Sequence, residues 1–95
     1  MEIESVRHKP LRIFIETGKA KGIDARLVKR LRNMIAFLAA AESVDELHVP
    51  PNFGFHMLTG DRAGTCAMTA TRNWRLTFRI DAEGALIDLD LEDYH

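Results

Sequence analysis

The sequence predicts an α+β domain, with two N-terminal helices packed on one face of a mainly antiparallel four- to five-stranded sheet. Three observations carry this expectation. Apolar residues recur at helical spacing as far as Leu38, Pro50-Pro51 stops helical structure, and from Phe53 onward the period falls to two. At 95 residues the chain has room for a single domain, 1–95, with one compact core.

The elements follow in order. Ile3 and Val6 sit in a short opening segment that reads as a brief edge strand. Pro10 suits the first turn of a helix, where its missing N–H costs nothing, and Leu11, Phe14 and Ile15 repeat at helical spacing until Gly18. Asp24 is the expected N-cap of a second helix. Leu27, Leu31, Met34, Ile35 and Leu38 lie on one face of it, with Arg26, Lys29, Arg30 and Asn33 largely on the other. Ser43-Val44-Asp45-Glu46 has the form of a capping box and predicts one further short turn.

Beyond the prolines, Phe53, Phe55 and Met57 alternate with Gly54, His56 and Leu58. Thr59 to Gly64 is a turn, Cys66 to Thr71 the returning strand, and Arg72-Asn73 a hairpin connection in which Asn tolerates the left-handed conformation. Trp74, Leu76, Phe78 and Ile80 alternate with Arg75, Thr77, Arg79 and Asp81. After the turn at Asp81-Ala82-Glu83-Gly84, Ile87, Leu89 and Leu91 alternate with Asp88, Asp90 and Glu92. Clean alternation of this kind means one covered face and one face left to water or a ligand.

Composition narrows the function classes. The single cysteine, Cys66, excludes an internal disulfide and a Cys-based zinc site, and reads as a small buried apolar residue. Met1-Glu2-Ile3-Glu4 lacks the basic-then-apolar order of a secretory signal, and no apolar run approaches the ~20 residues of a bilayer span. A soluble, cytoplasmic protein without a membrane partner is the expectation. The net charge of −1 conceals a division: residues 1–40 hold nine Lys/Arg against four Asp/Glu, and residues 41–95 hold four against ten. The basic half is either a solvated face or a surface for an anionic partner. His8 and His48 read as surface residues and Trp74 as core.

Strand parity sorts the polar residues. If Phe53, Phe55 and Met57 face the helices, His56 points to the open side, together with Arg75, Thr77 and Arg79. Guanidinium groups clamp phosphates in a planar, bidentate way, and imidazole moves protons near neutral pH. The competing reading is structural: Arg75 and Arg79 pair across strands with Asp88 and Asp90, and His56 is an ordinary surface residue.

An ordered series of motifs bears on that choice. Ser5-Val6-Arg7-His8-Lys9, Phe14 to Gly18, Ala25 to Leu31, Leu58-Thr59-Gly60-Asp61-Arg62, Asn73-Trp74-Arg75-Leu76-Thr77-Phe78 and the ending Glu92-Asp93-Tyr94-His95 run the length of the chain. The series resembles the HigB toxins, the plasmid-maintenance killer-protein branch of the RelE/ParE superfamily. The resemblance implies a RelE-like fold and a type II toxin–antitoxin toxin that enters the ribosomal A site and cuts mRNA, with no metal and no cofactor. It implies catalytic roles for His56, Asp93, Tyr94 and His95, and RNA phosphate contacts for Arg75, with Arg79 beside it on the same face. It implies as partners a HigA-like helix-turn-helix antitoxin, the ribosome and mRNA, and operator DNA only through the antitoxin complex. One departure is Thr59, where relatives commonly carry a lysine; Thr65 and Cys66 stand where aromatics are usual. The alternative these departures leave open is a catalytically weakened binding protein of the superfamily, either an antitoxin partner and co-repressor or a gyrase inhibitor.

Overall fold

Helix α1 spans Lys9–Thr17 in the computed structural model, which describes residues 1–93. Pro10 occupies its first turn, and His8 caps it, with Nδ1 accepting a hydrogen bond from the Leu11 N–H at 3.1 Å. The sequence marks His8 as surface; the structure makes it a half-buried cap that satisfies one of the helix's orphan donors. Gly18 ends the helix in the left-handed region (φ 80°), its N–H bonding back to the Phe14 carbonyl at 2.8 Å.

Asp24 caps as expected, its Oδ1 accepting from the Arg26 N–H at 2.9 Å. The helix opens as a tight turn over Ala25–Leu27 and becomes α2 at Val28–Ala40. Leu27, Leu31, Met34 and Leu38 are buried, while Arg26, Lys29, Arg30 and Asn33 are exposed. At its far end the Met1 ammonium donates to the carbonyls of Ala39 and Ala41, favourable charge for a helix C-terminus. The short turn at Val44–His48 forms, although Ser43 makes no side-chain cap; Glu46 instead accepts from the Glu42 N–H at 2.9 Å.

Strands β1 (His56–Met57), β2 (Cys66–Thr69), β3 (Trp74–Ile80) and β4 (Leu86–Asp93) form an antiparallel sheet in sequence order. The opening segment adds two parallel bridges to its far edge, Ile3 to Leu86 and Val6 to Leu89. The two helices thus precede a four-stranded antiparallel sheet with a fifth, rudimentary position, as the sequence predicts. Cys66, Met68, Leu76, Phe78, Leu89 and Leu91 join Leu11, Phe14, Leu31, Met34 and Leu38 in one core.

Three local expectations fail for physical reasons. The alternating run from Phe53 yields only two strand residues, because Phe53 and Gly54 both take positive φ (51° and 69°). The Asn52 side chain accepts from the Gly54 N–H at 3.1 Å and turns the chain there. The Phe53 carbonyl still accepts from the Thr69 N–H at 2.7 Å, but a regular ladder does not begin until His56. Phe55 is nevertheless buried and His56 exposed, but Met57 is half-exposed at the sheet edge rather than covered by the helices. The hairpin between β2 and β3 closes through Ala70 and Thr71 N–H bonds to the Trp74 carbonyl. Asn73 does not adopt the left-handed conformation there; among the described non-glycine residues Phe53 and Asp88 do. The β3–β4 register, finally, slips between Thr77 and Arg79, with Asp88 at φ 56°. The slip is a bulge that sets two residues of β4 against one of β3.

Candidate active site

The cross-strand register arranges the open face in rows. His56 pairs with Ala67, Ala67 with Thr77 and Thr77 with Asp90. The next row toward the hairpin runs Thr69, Arg75, Glu92. His56 is therefore two strand spacings, about 10 Å, and one pleat away from Arg75 along the backbone. Thr77, rather than Arg75, shares its row. Ala67 and Thr77 are buried, so the middle of this face is covered by the longer side chains around it.

Those side chains converge on a residue that sequence reasoning missed. Glu92 receives Arg62 in a bidentate fork, Nη1 to Oε1 at 2.8 Å and Nη2 to Oε2 at 2.6 Å. Arg75 Nη2 adds a contact to Oε1 at 3.3 Å, and the Thr77 hydroxyl donates to Oε2 at 2.6 Å. The Arg62 guanidinium in the first place, then the Thr77 hydroxyl and Arg75, hold the Glu92 carboxyl down to about 2 against the cost of partial burial. The signal available in the sequence was parity: Glu92 alternates with Leu91 and faces the same side as Arg75. Arg62 was beyond reach, because a turn residue has no strand parity.

The structural alternative for Arg75 and Arg79 changes accordingly. The bulge places Arg79 opposite Ile87 and Thr77 opposite Asp90, so neither arginine stands across from Asp88 or Asp90. Arg75 pairs with Glu92, while Arg79, exposed, approaches Thr65 Oγ1 at 3.5 Å. Its guanidinium lies over Gly64 so closely that a Cβ there would sit 3.2 Å from Nη2.

His56 is exposed, with Nδ1 2.9 Å from the Gly54 carbonyl oxygen. A carbonyl only accepts, so in neutral imidazole this contact places the proton on Nδ1 and leaves the Nε2 lone pair outward. Asp93 ends β4 opposite Trp74, on the parity that faces the helices, and is exposed. The structure thus brings His56, Arg75 and Arg79 to one face but leaves Asp93 at the end of β4 on the opposite parity; Tyr94 and His95 lie outside the described residues. Thr59 is exposed in the turn that carries Arg62, and its side chain caps nothing. Cys66 is buried against Met57 (Sγ to Sδ 3.3 Å), and burial pushes its thiol up, away from reactivity. No described helix is long and apolar enough to cross a membrane.

The arrangement offers an outward imidazole nitrogen, guanidinium groups and a fold of two helices against an antiparallel sheet. A profile of the family described as "RelE-like toxin of type II toxin-antitoxin system HigB" matches residues 4–95. The chain belongs to this family. This HigB-like chain is 36% identical over 93 residues to the Endoribonuclease HigB of Proteus vulgaris, covering 98% of its own length and 99% of that protein. Its fold is similar to the YoeB/ParE toxin from Agrobacterium tumefaciens, with a TM-score of 0.56, 18% identity and complete coverage of both chains. It is also similar to a chain of the YoeB-YefM complex from Staphylococcus aureus, with a TM-score of 0.57, 11% identity and coverage of 100% and 99%. At such identities the likeness is one of fold.

Proposed function

We propose that this chain is the toxin of a type II toxin–antitoxin pair and cleaves mRNA on the ribosome. The observation that carries the reading is its likeness, over nearly the whole of both chains, to a protein named Endoribonuclease HigB. The open face supports it with the chemistry such cleavage needs. RNA supplies its own nucleophile, the 2′-hydroxyl. The 2′-oxygen bonds to phosphorus as its proton passes to a base, and the bond to the 5′-oxygen breaks as that oxygen takes a proton from an acid. The products are a 2′,3′-cyclic phosphate and a 5′-hydroxyl.

His56, presenting Nε2 outward, is suited to one of the two proton transfers. His95 is the candidate for the other, with Asp93 orienting an imidazole and Tyr94 stacking on a base or assisting the transfer. Arg75 and Arg79 supply positive charge for the phosphate as it gains negative character. The partners that fit are a HigA-like helix-turn-helix antitoxin, through which operator DNA is reached, and the ribosomal A site with its mRNA.

The test is direct. Purified protein added to a translating extract is expected to cut the mRNA, and His56→Ala to lower the rate by about 100-fold or more, the usual contribution of a proton-transfer group. Intact transcripts with the wild type overturn the reading. Inhibition of DNA supercoiling in their place identifies the gyrase-inhibiting alternative, and antitoxin binding without cleavage the co-repressor one.

A further inference from the structure

The cluster of Arg62, Arg75, Thr77 and Glu92 is larger than a brace between two strands requires. Four contacts, from two guanidinium groups and a hydroxyl, fall on the two oxygens of one carboxylate. The fork geometry that fits a carboxylate also fits the two non-bridging oxygens of a phosphodiester, and both are monoanions. Exchanging one for the other leaves the charge of the cluster unchanged.

Arg62 has the freedom such an exchange needs. It rises from the Gly60–Arg62 turn between β1 and β2, and its side chain is 43% exposed, so water offsets much of the ion pair it loses on leaving Glu92. Arg75, only 19% exposed, stays seated beneath. Asp90 stands in the neighbouring row next to Thr77 and adds negative charge near Arg62, which weakens the pull of the open face on a phosphate. Glu92 in particular neutralises the arginines that would attract one.

We infer that Arg62 and Arg75 form a preassembled receptor for a backbone phosphate of the RNA, and that the Glu92 carboxylate is its placeholder. The RNA phosphate displaces Glu92 when it binds. Arg62 is in this account an RNA-binding residue, and it places a cation on the turn that lacks one at Thr59. The inference rests on the RNA-directed reading of this face, and it makes Glu92 an internal competitor whose removal strengthens binding.

A 2′-O-methylated oligoribonucleotide, which cannot supply the 2′-hydroxyl, separates binding from cleavage. Its affinity is measured by fluorescence anisotropy for the wild type, Glu92→Gln, Arg62→Ala and the double variant at one fixed ionic strength, with Asp61→Asn as a charge-matched control. Glu92→Gln is expected to bind about three- to fivefold more tightly, the size of one exposed ion pair released. The gain is expected to vanish when Arg62 is also alanine, and Asp61→Asn is expected to bind as the wild type does. Equal or weaker binding by Glu92→Gln overturns the inference, as does a gain that survives loss of Arg62 or is matched by Asp61→Asn. Parallel cleavage in a translating extract keeps the two claims apart. A wild type that cuts mRNA while Glu92→Gln gains nothing sinks the placeholder alone. An Arg62-dependent gain in a protein that cuts nothing supports the receptor and overturns the nuclease reading.

Discussion

Glu92 shows how much one side chain's surroundings change its chemistry. Its folded carboxyl is held to about 2, against an ordinary value of 4.5. The folded chain therefore binds this proton more weakly than the unfolded chain, and the stabilisation is present above the ordinary value and is lost as pH falls through the folded one. Urea unfolding from pH 7 down to pH 2 tests this. Wild type is expected to exceed Glu92→Gln by about 1–3 kcal/mol near neutrality, with the gap closing between about pH 4.5 and 2. A gap independent of pH would show that Glu92 acts through packing. His56, Arg75 and Arg79 were legible as open-face residues because parity alone assigns them. The pairing of Arg75 with Glu92 was not, because it depends on the β3–β4 register. The fork from Arg62 was not either, because that turn residue lies thirty positions from Glu92 in sequence.

At the scale of elements, the bulge in β4 matters most. Ile3 and Val6 bridge to Leu86 and Leu89, on either side of Asp88, whose N–H donates to the Ser5 hydroxyl at 2.8 Å. The slip in register falls where β4 meets two neighbours, β3 on one edge and the N-terminal segment on the other. It also leaves Asp90 opposite Thr77 and Glu92 opposite Arg75. Asp88 itself sits at φ 56°, which a β-branched residue resists. Asp88→Val is expected to cost about 1–2 kcal/mol, while Asp88→Gly stays within about 0.5 kcal/mol of wild type, both read from urea midpoints. Equal losses from the two would mean that the Asp88 side chain, rather than the backbone angle, is what the site needs. The alternating letters of Ile87 to Leu91 contain no sign of this slip, since a bulge changes which residue faces which and not the composition.

For the whole molecule, the helices serve the site by covering the sheet's other face. Phe78 is buried among them, and its ring lies 6.2 Å from that of Phe55, the residue immediately before His56. Phe55 in turn meets the His48 ring edge-on at 4.7 Å. The core thus supports from behind a histidine that the two-residue β1 holds only lightly. Phe78→Ala is expected to cost about 3–4 kcal/mol, a large share of the ~5–15 kcal/mol typical of a domain, and to loosen the His56 segment with it. Equilibrium denaturation gives the first quantity and hydrogen exchange at His56 the second; unchanged exchange in a folded variant would separate β1 from the core.

Periodicity and turn residues by themselves determined the two helices, their buried faces, the order of the strands and the side of the sheet on which His56, Arg75 and Arg79 stand. These depend on neighbours three or four positions apart in a helix and two apart in a strand, so a local pattern contains them. Tertiary structure alone decided that β1 shrinks to two residues, that β4 slips by one position at Asp88, and that Arg62 joins Arg75 and Thr77 on Glu92. Each of those depends on segments distant in the chain meeting at a particular register, and register is set by the packing of the whole sheet.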